Sequence, residues 1–116
     1  MRRVTPFTVM DDERGMLREV VREGTWKQMN HFTIKKGEMR GNHYHKKLVE
    51  LFYVVVGSVE FTVHKMPDWQ KETFVLTVGQ SVIIEPGDYH TLLALEDTAI
   101  MSLYSEVFDP KDIYES

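Results

Sequence analysis

The chain has 116 residues, of which 42% are hydrophobic and 28% charged, and its formal net charge at neutral pH is −4. This length predicts one domain, 1–116, with a single core, and the negative charge without a basic patch argues against nucleic acid as a partner. The sequence has no apolar run of about 18 residues to span a membrane, the stretch 7–10 is too short for a signal-peptide core, and cysteine is absent. We therefore expect a cytoplasmic protein with no membrane partner and no disulfides.

In chain order, the hydrophobic pattern predicts short β-strands separated by polar turns. The first turn is predicted at 11–15, and a break in the strand pattern is predicted at 66–69. The predicted strands are 16–21, 26–34, 51–56, 59–63, 73–78, 81–84, 91–95 and 98–104. The only predicted helix is a short one at 109–114. Many short strands at close spacing are typical of a sandwich or barrel, so the sequence predicts an all-β fold.

Two histidines and a glutamate lie close together between the second and third predicted strands. His43 and His45 are two residues apart, so in an extended chain their imidazoles project from the same face. Glu50 heads the next strand, on the face that carries alternate apolar residues as far as Val56. A carboxylate on an apolar face is costly unless it is paired, protonated or bound to a cation.

His90 is the fourth candidate ligand. Pro86 and Gly87 predict a turn between strands 81–84 and 91–95, and such a turn can direct His90 back across the fold. Three imidazoles and one carboxylate suit one divalent transition metal, namely Fe, Mn, Ni, Co, Cu or Zn, with positions left open for water or a bidentate ligand. The alternative is a hydrogen-bonded polar cluster that fills the same place without a metal.

These residues match the first motif of the cupin superfamily, G-x5-H-x-H-x4-E-x6-G, at every fixed position: Gly37, His43, His45, Glu50 and Gly57. The second cupin motif, G-x5-P-x-G-x2-H-x3-N, is matched by Gly79, Gly87 and His90, whereas Glu85 and Ala94 replace its proline and asparagine. The chain therefore resembles a cupin. The resemblance implies a double-stranded β-helix, or jelly roll, of two antiparallel sheets with a metal at the mouth of the barrel, and it implies a homodimer.

A narrower resemblance involves three segments, 12–15 (DERG), 28–30 (QMN) and 40–45 (RGNHYH). Their order is similar to that in the cupins that epimerise dTDP-4-keto-6-deoxyhexoses, and Lys46 also matches the related dTDP-sugar ketoisomerases. In those enzymes the arginine binds the nucleotide-sugar and the histidine removes a proton beside the ketone. The resemblance implies that Arg40 binds a substrate anion and that His43 acts as the base if the site is metal-free.

The two resemblances imply different roles for His43, because a metal would occupy the lone pair that a base needs. The favoured interpretation is a metal-binding cupin with His43, His45, Glu50 and His90 as ligands, acting as an isomerase or epimerase on a carbohydrate or nucleotide-sugar. A non-haem metal-dependent dioxygenase and a non-catalytic small-molecule-binding cupin are the alternatives, since a fold hosts many functions.

Overall fold

The computed structural model describes residues 1–65 and 67–115, and within them it contains eleven β-strands and no helix. None of the described segments is therefore a helix that could cross a membrane. The strands are β1 (Arg2–Val4), β2 (Phe7–Asp12), β3 (Gly15–Glu19), β4 (Gln28–Ile34), β5 (Met39–His43), β6 (Glu50–Val56), β7 (Ser58–Lys65), β8 (Gln70–Thr77), β9 (Ser81–Ile84), β10 (Asp88–Ala94) and β11 (Thr98–Tyr104).

The strands form two main antiparallel sheets and one separate hairpin. The larger sheet has the order β1-β9-β6-β11-β4, the smaller sheet has the order β5-β10-β7-β8, and β2 pairs only with β3. From β4 onward, consecutive strands alternate between the two sheets, except that β7 and β8 form a hairpin within the smaller one. The predicted all-β barrel of two antiparallel sheets is confirmed.

The core lies between the inner faces of the two sheets. In β7, residues at alternate positions are buried, so Val59, Phe61 and Val63 point inward, as the period of two requires. Phe61 is fully buried, and its ring centroid lies 5.6 Å from that of Phe52 and 5.5 Å from that of Phe74. The contact between Phe52 and Phe61 joins the two sheets, because Phe52 belongs to the larger one and Phe61 to the smaller one.

The predicted helix at 109–114 is wrong. This segment is irregular, and Tyr114 forms an isolated antiparallel bridge with Tyr44. The Asp112 side chain accepts hydrogen bonds from the backbone between positions 46 and 48, so the segment bonds mainly to a distant loop rather than to itself. Tertiary hydrogen bonds therefore override a local pattern that allowed a helix.

Smaller errors have local causes. Val56 was expected on the buried face of β6 but is 55% exposed, because a β-bulge places both Val54 and Val56 opposite consecutive residues of β11. β4 begins at Gln28 rather than at 26, where the Trp26 indole donates to the carbonyl of Glu23. The strands β1, β2 and β5 were missed, and the predicted turn at 11–15 is the end of the β2–β3 hairpin. Residues 67–69 form a turn as predicted, while Met66 lies outside the described residues.

Candidate functional site

Strands β5 and β10 bring two of the candidate residues side by side. His43 ends β5 and is the register partner of His90 on β10, at a bulge in the pairing. Gly41 has a φ of 96°, and a Cβ atom there would lie 2.5 Å from the carbonyl oxygen of His90. Only glycine fits this close approach, so Gly41 lets β5 come close enough for His43 to lie beside His90.

The other two candidates come from the start of β6 and the loop before it. Glu50 is the first residue of β6, between Ile84 of β9 and Tyr104 of β11, and is 2% exposed. His45 lies in the loop between β5 and β6 and is buried. The structure brings all four sequence-predicted residues, His43, His45, Glu50 and His90, into one cluster in which a ligand atom of each lies within 4.8 Å of the others.

Backbone carbonyls orient two of the imidazoles. Nδ1 of His45 lies 2.5 Å from the carbonyl oxygen of Asp112, and Nδ1 of His90 lies 2.9 Å from the carbonyl oxygen of Asp88. A carbonyl can only accept, so Nδ1 carries the proton in both rings and Nε2 presents a lone pair to the cluster. This is the arrangement that metal-binding histidines commonly show.

Glu50 lacks a hydrogen-bond partner in this cluster. Its Oε1 atom makes no hydrogen bond of normal geometry, although it lies 2.7 Å from Nε2 of His45 and 3.7 Å from Nε2 of His90. The contact with His45 is an ion pair when that ring is protonated, whereas the carboxylate oxygen and the imidazole lone pairs repel one another when both rings are neutral. A cation would bind all three, and three nitrogens with one oxygen form a donor set that suits first-row transition metals, so these residues fit a metal ion.

The surroundings shift the pKa of each imidazole in a way that reflects its contacts. Burial, then the neighbouring His90 and His45, lower the pKa of His43 to about 4. Burial also lowers the pKa of His90. Burial would lower the pKa of His45 as well, but Glu50 and the Asp112 carbonyl outweigh it and raise that pKa. His43 and His90 are therefore neutral near neutral pH, which is the form that binds a metal.

Three of the four clustered residues, His43, Glu50 and His90, lie in the wall of a cavity of about 280 Å³. Apolar side chains, Phe32, Phe52 and Leu92, form another part of its lining, and Arg40 and Tyr104 add two polar groups. Arg40 is exposed, its Nε donates to the carbonyl of Thr33, and its guanidinium lies 5.8 Å from the Phe32 ring centroid. The predicted anion-binding residue thus shares a cavity with the predicted ligands.

Tyr104, which the sequence analysis placed only within a predicted strand, also lines this cavity. Burial, followed by the charge of Glu50, raises the pKa of its phenol to about 12, so the hydroxyl stays protonated and can donate a hydrogen bond. Tyr104 lies two residues after the buried Ser102, so strand alternation places both on the inward face of β11, and this alternation is the sequence signal that could have identified Tyr104.

His31 and His64 lie outside the cluster: His31 is exposed on β4, and His64 stacks on Trp69 with 4.2 Å between ring centroids.

A barrel of two antiparallel sheets with three histidines and a glutamate beside a cavity has the architecture of a cupin. The family model for the polysaccharide biosynthesis C-terminal domain matches residues 10–114. The chain therefore belongs to this family of cupin-like domains, which confirms the predicted resemblance.

A curated relative is the UDP-2-acetamido-2,6-β-L-arabino-hexul-4-ose reductase of Pseudomonas aeruginosa, which is 29% identical over 102 residues. The match covers 84% of this chain but 27% of the reductase. The chain thus spans about a quarter of the length of that relative.

Three solved structures share the fold. The rmlC epimerase of Mycobacterium tuberculosis has a TM-score of 0.86 and 22% identity, with 97% of this chain and 66% of that chain covered. The QdtA 3,4-ketoisomerase of Thermoanaerobacterium thermosaccharolyticum, in complex with TDP, has a TM-score of 0.84 and 23% identity, with 99% and 86% covered. The capsular polysaccharide assembling protein CapF of Staphylococcus aureus has a TM-score of 0.73 and 26% identity, with 95% and 32% covered. These likenesses confirm the jelly-roll fold.

Proposed function

We propose that this domain is a metal-binding cupin that acts as an isomerase or epimerase on a nucleotide-sugar. The observation that carries the proposal is the convergence of three imidazoles and a buried carboxylate, three members of which, His43, Glu50 and His90, line a cavity that also contains an arginine and a protonated phenol. Such a cavity brings together groups that could bind an anion, polarise a carbonyl and transfer a proton.

The proposed metal is one divalent transition ion, Fe, Mn, Ni, Co, Cu or Zn, held by His43, His45, Glu50 and His90. When bound, the ion would polarise a sugar carbonyl as a Lewis acid and so acidify the adjacent C–H bond. In this form His43 is a ligand, and a group other than His43 must accept the proton. The lowered pKa of His43, about 4, favours the ligand role, because a general base works best when its pKa is near the working pH. In a metal-free form, His43 is the histidine that would accept the proton.

Arg40 is the proposed anchor for the anionic part of the substrate. It is exposed at the cavity, and its guanidinium can meet a diphosphate with two parallel hydrogen bonds. The QdtA structures with TDP and with TDP-4-keto-6-deoxyglucose support a nucleotide-sugar as the ligand class, since those proteins share the fold. Tyr104 is the proposed hydrogen-bond donor to the sugar oxygen that gains negative charge when the proton leaves.

The test measures ligand binding and proton removal separately. Titration calorimetry with dTDP-, UDP- and GDP-sugars identifies a ligand, and NMR in D2O under anaerobic conditions detects deuterium that enters the sugar beside the carbonyl. We expect Arg40→Lys to weaken binding by about 1–3 kcal/mol, the scale of a charge-assisted hydrogen bond, with metal content unchanged. Arg22→Lys is the matched control, because Arg22 is exposed, pairs with Glu19 and does not line the cavity.

Each outcome assigns a function. Sugar binding with deuterium exchange supports the isomerase or epimerase. Binding without exchange assigns a non-catalytic module, and substrate-dependent oxygen consumption assigns a metal-dependent dioxygenase. The carbohydrate proposal fails if no nucleotide-sugar binds. It also fails if Arg40→Lys and Arg22→Lys both bind the nucleotide-sugar as tightly as the wild type does.

A further inference from the structure

The loop that carries His45 has little regular structure of its own. This ligand loop, residues 44–49, joins the end of β5 to Glu50 at the start of β6. Two of the four clustered residues therefore depend on its conformation. The segment that contacts it is the tail, defined here as residues 105–114, which follows the last strand.

One tail residue holds the middle of the ligand loop. The Asp112 carboxylate accepts three backbone N–H groups, from Lys46 at 2.9 Å, Lys47 at 3.2 Å and Leu48 at 3.2 Å. The carbonyl of Asp112 also accepts Nδ1–H of His45. Asp112 is 6% exposed, so these bonds form largely out of water, where they are strong and where an amide without an acceptor is costly.

Further tail residues fix the two ends of the loop. At one end, Tyr44 and Tyr114 exchange two backbone hydrogen bonds of 2.9 and 3.0 Å, and their rings stack. At the other end, Val49 donates its N–H to Oγ of Ser105 and accepts the N–H of Ser105, both at 2.9 Å. The loop is thus held at both ends and at its centre by one segment about 60 residues away in sequence.

We infer that Asp112 is the positioning residue of the metal site: its carboxylate shapes the ligand loop, and its carbonyl sets the tautomer and orientation of His45. The inference rests on the proposed function in taking His45 as a metal ligand. Asp112 does not itself belong to the four-residue cluster, so it acts through His45. Partners of this kind typically change metal affinity 10- to 100-fold when they are altered.

The test replaces the carboxylate by its closest neutral analogue. In Asp112→Asn, the amide NH2 must face either Lys46 N–H or the N–H groups of Lys47 and Leu48, so at least one loop amide loses its acceptor. We expect Co²⁺ to bind about 10- to 100-fold more weakly and its d–d absorption spectrum to change. Asp109→Asn is the control, because Asp109 is exposed in the same tail, its carboxylate accepts the N–H of Lys111, and its backbone carbonyl, which accepts the N–H of Asp112, is unchanged by the substitution.

Two measurements separate positioning from a general loss of stability. Thermal unfolding of the metal-free proteins is compared first, and a milder variant, Ser105→Ala, replaces Asp112→Asn if the latter does not fold. Second, a cycle with His45→Ala is measured, in which Asp112→Asn should cost less Co²⁺ affinity than it does in the wild type, since one of the two ligands that the loop positions is already missing. The inference would be overturned if Asp112→Asn cost the same Co²⁺ affinity with and without His45. It would also be overturned if Asp112→Asn and Ser105→Ala both kept the Co²⁺ affinity and spectrum of the wild type.

A failure of the proposed function is recognisable by itself. If the wild type binds no Co²⁺, the ¹⁵N chemical shifts of the His45 ring in the metal-free protein still report its tautomer. A proton on Nδ1 in the wild type that is lost or shared in Asp112→Asn supports the positioning role without any metal. Identical ring shifts in the two proteins refute it.

Discussion

Glu50→Gln should stabilise the metal-free protein while it weakens metal binding. In the wild type, Oε1 of Glu50 is buried 2.7 Å from Nε2 of His45 without a hydrogen bond. Because Nδ1 of His45 faces a carbonyl, the neutral ring offers only a lone pair to this oxygen. A glutamine amide at the same place can donate to that lone pair, and it removes a buried negative charge.

The magnitude follows from the cost of an unsatisfied buried polar group, about 1–3 kcal/mol. For a domain of this size, 1 kcal/mol corresponds to about 4 °C, so the melting temperature should rise by about 4–12 °C. A metal that binds the folded wild type contributes about 2.7 kcal/mol at roughly 100 times its Kd, which is about 11 °C. Glu50→Gln has lost one ligand and gains less, so the added metal should reduce or reverse the difference.

The assay is thermal unfolding with chelator and with Co²⁺, at about pH 8, above the ordinary pKa of imidazole. His45 has a raised pKa, so its favourable charge contact with Glu50 is present at lower pH and is lost as the pH rises through that pKa. The advantage of Glu50→Gln should therefore be larger at high pH. Glu72→Gln, at an exposed position of β8, is the control and should change stability by less than about 0.5 kcal/mol. A chelated Glu50→Gln that melts below the wild type at high pH would refute the reasoning.

Three further predictions concern the ligands and the core. The double variant His43→Ala/His45→Ala should contain no metal by elemental analysis, whereas His31→Ala/His64→Ala should keep it, because only the first pair lies in the cluster. Equal metal content in the two would sink the ligand assignment. Chelation should leave cooperative unfolding, since the buried core between the sheets is independent of the site. Phe61→Ala should lower the free energy of unfolding by about 3–5 kcal/mol in urea denaturation, with metal content unchanged, because its ring is fully buried.

The sequence predicted the barrel because strand periodicity and turn residues are local signals. Alternation around Phe61 and the glycines that bound the ligand motif were enough for an all-β fold of two sheets. The clustering of the four candidate ligands was also predictable, because a spacing of two on one face and a turn before His90 constrain where the side chains point.

What failed depends on contacts between distant segments. Nothing near Asp112 in the sequence indicates that its carboxylate binds amides more than 60 residues away, so the tail was predicted as a helix. The exposure of Val56 comes from a bulge, which depends on the register with β11 rather than on the residues of β6. The role of Tyr104 in the cavity was not predicted, because its neighbour Glu50 belongs to another strand.

The geometry bears on the conflict between the metal-free and the metal-dependent versions of cupin sugar chemistry. Burial and the two neighbouring imidazoles lower the pKa of His43, and those two imidazoles are the remaining nitrogen atoms of the proposed metal site. Burial together with two members of the ligand set therefore makes His43 a weak base, although Glu50 acts in the opposite direction. A chain with all four residues is suited to polarise a carbonyl by a bound cation, whereas burial and the neighbours His45 and His90 disfavour proton removal by His43. This opposition is why the full ligand set favours the metal-dependent form of the proposed reaction.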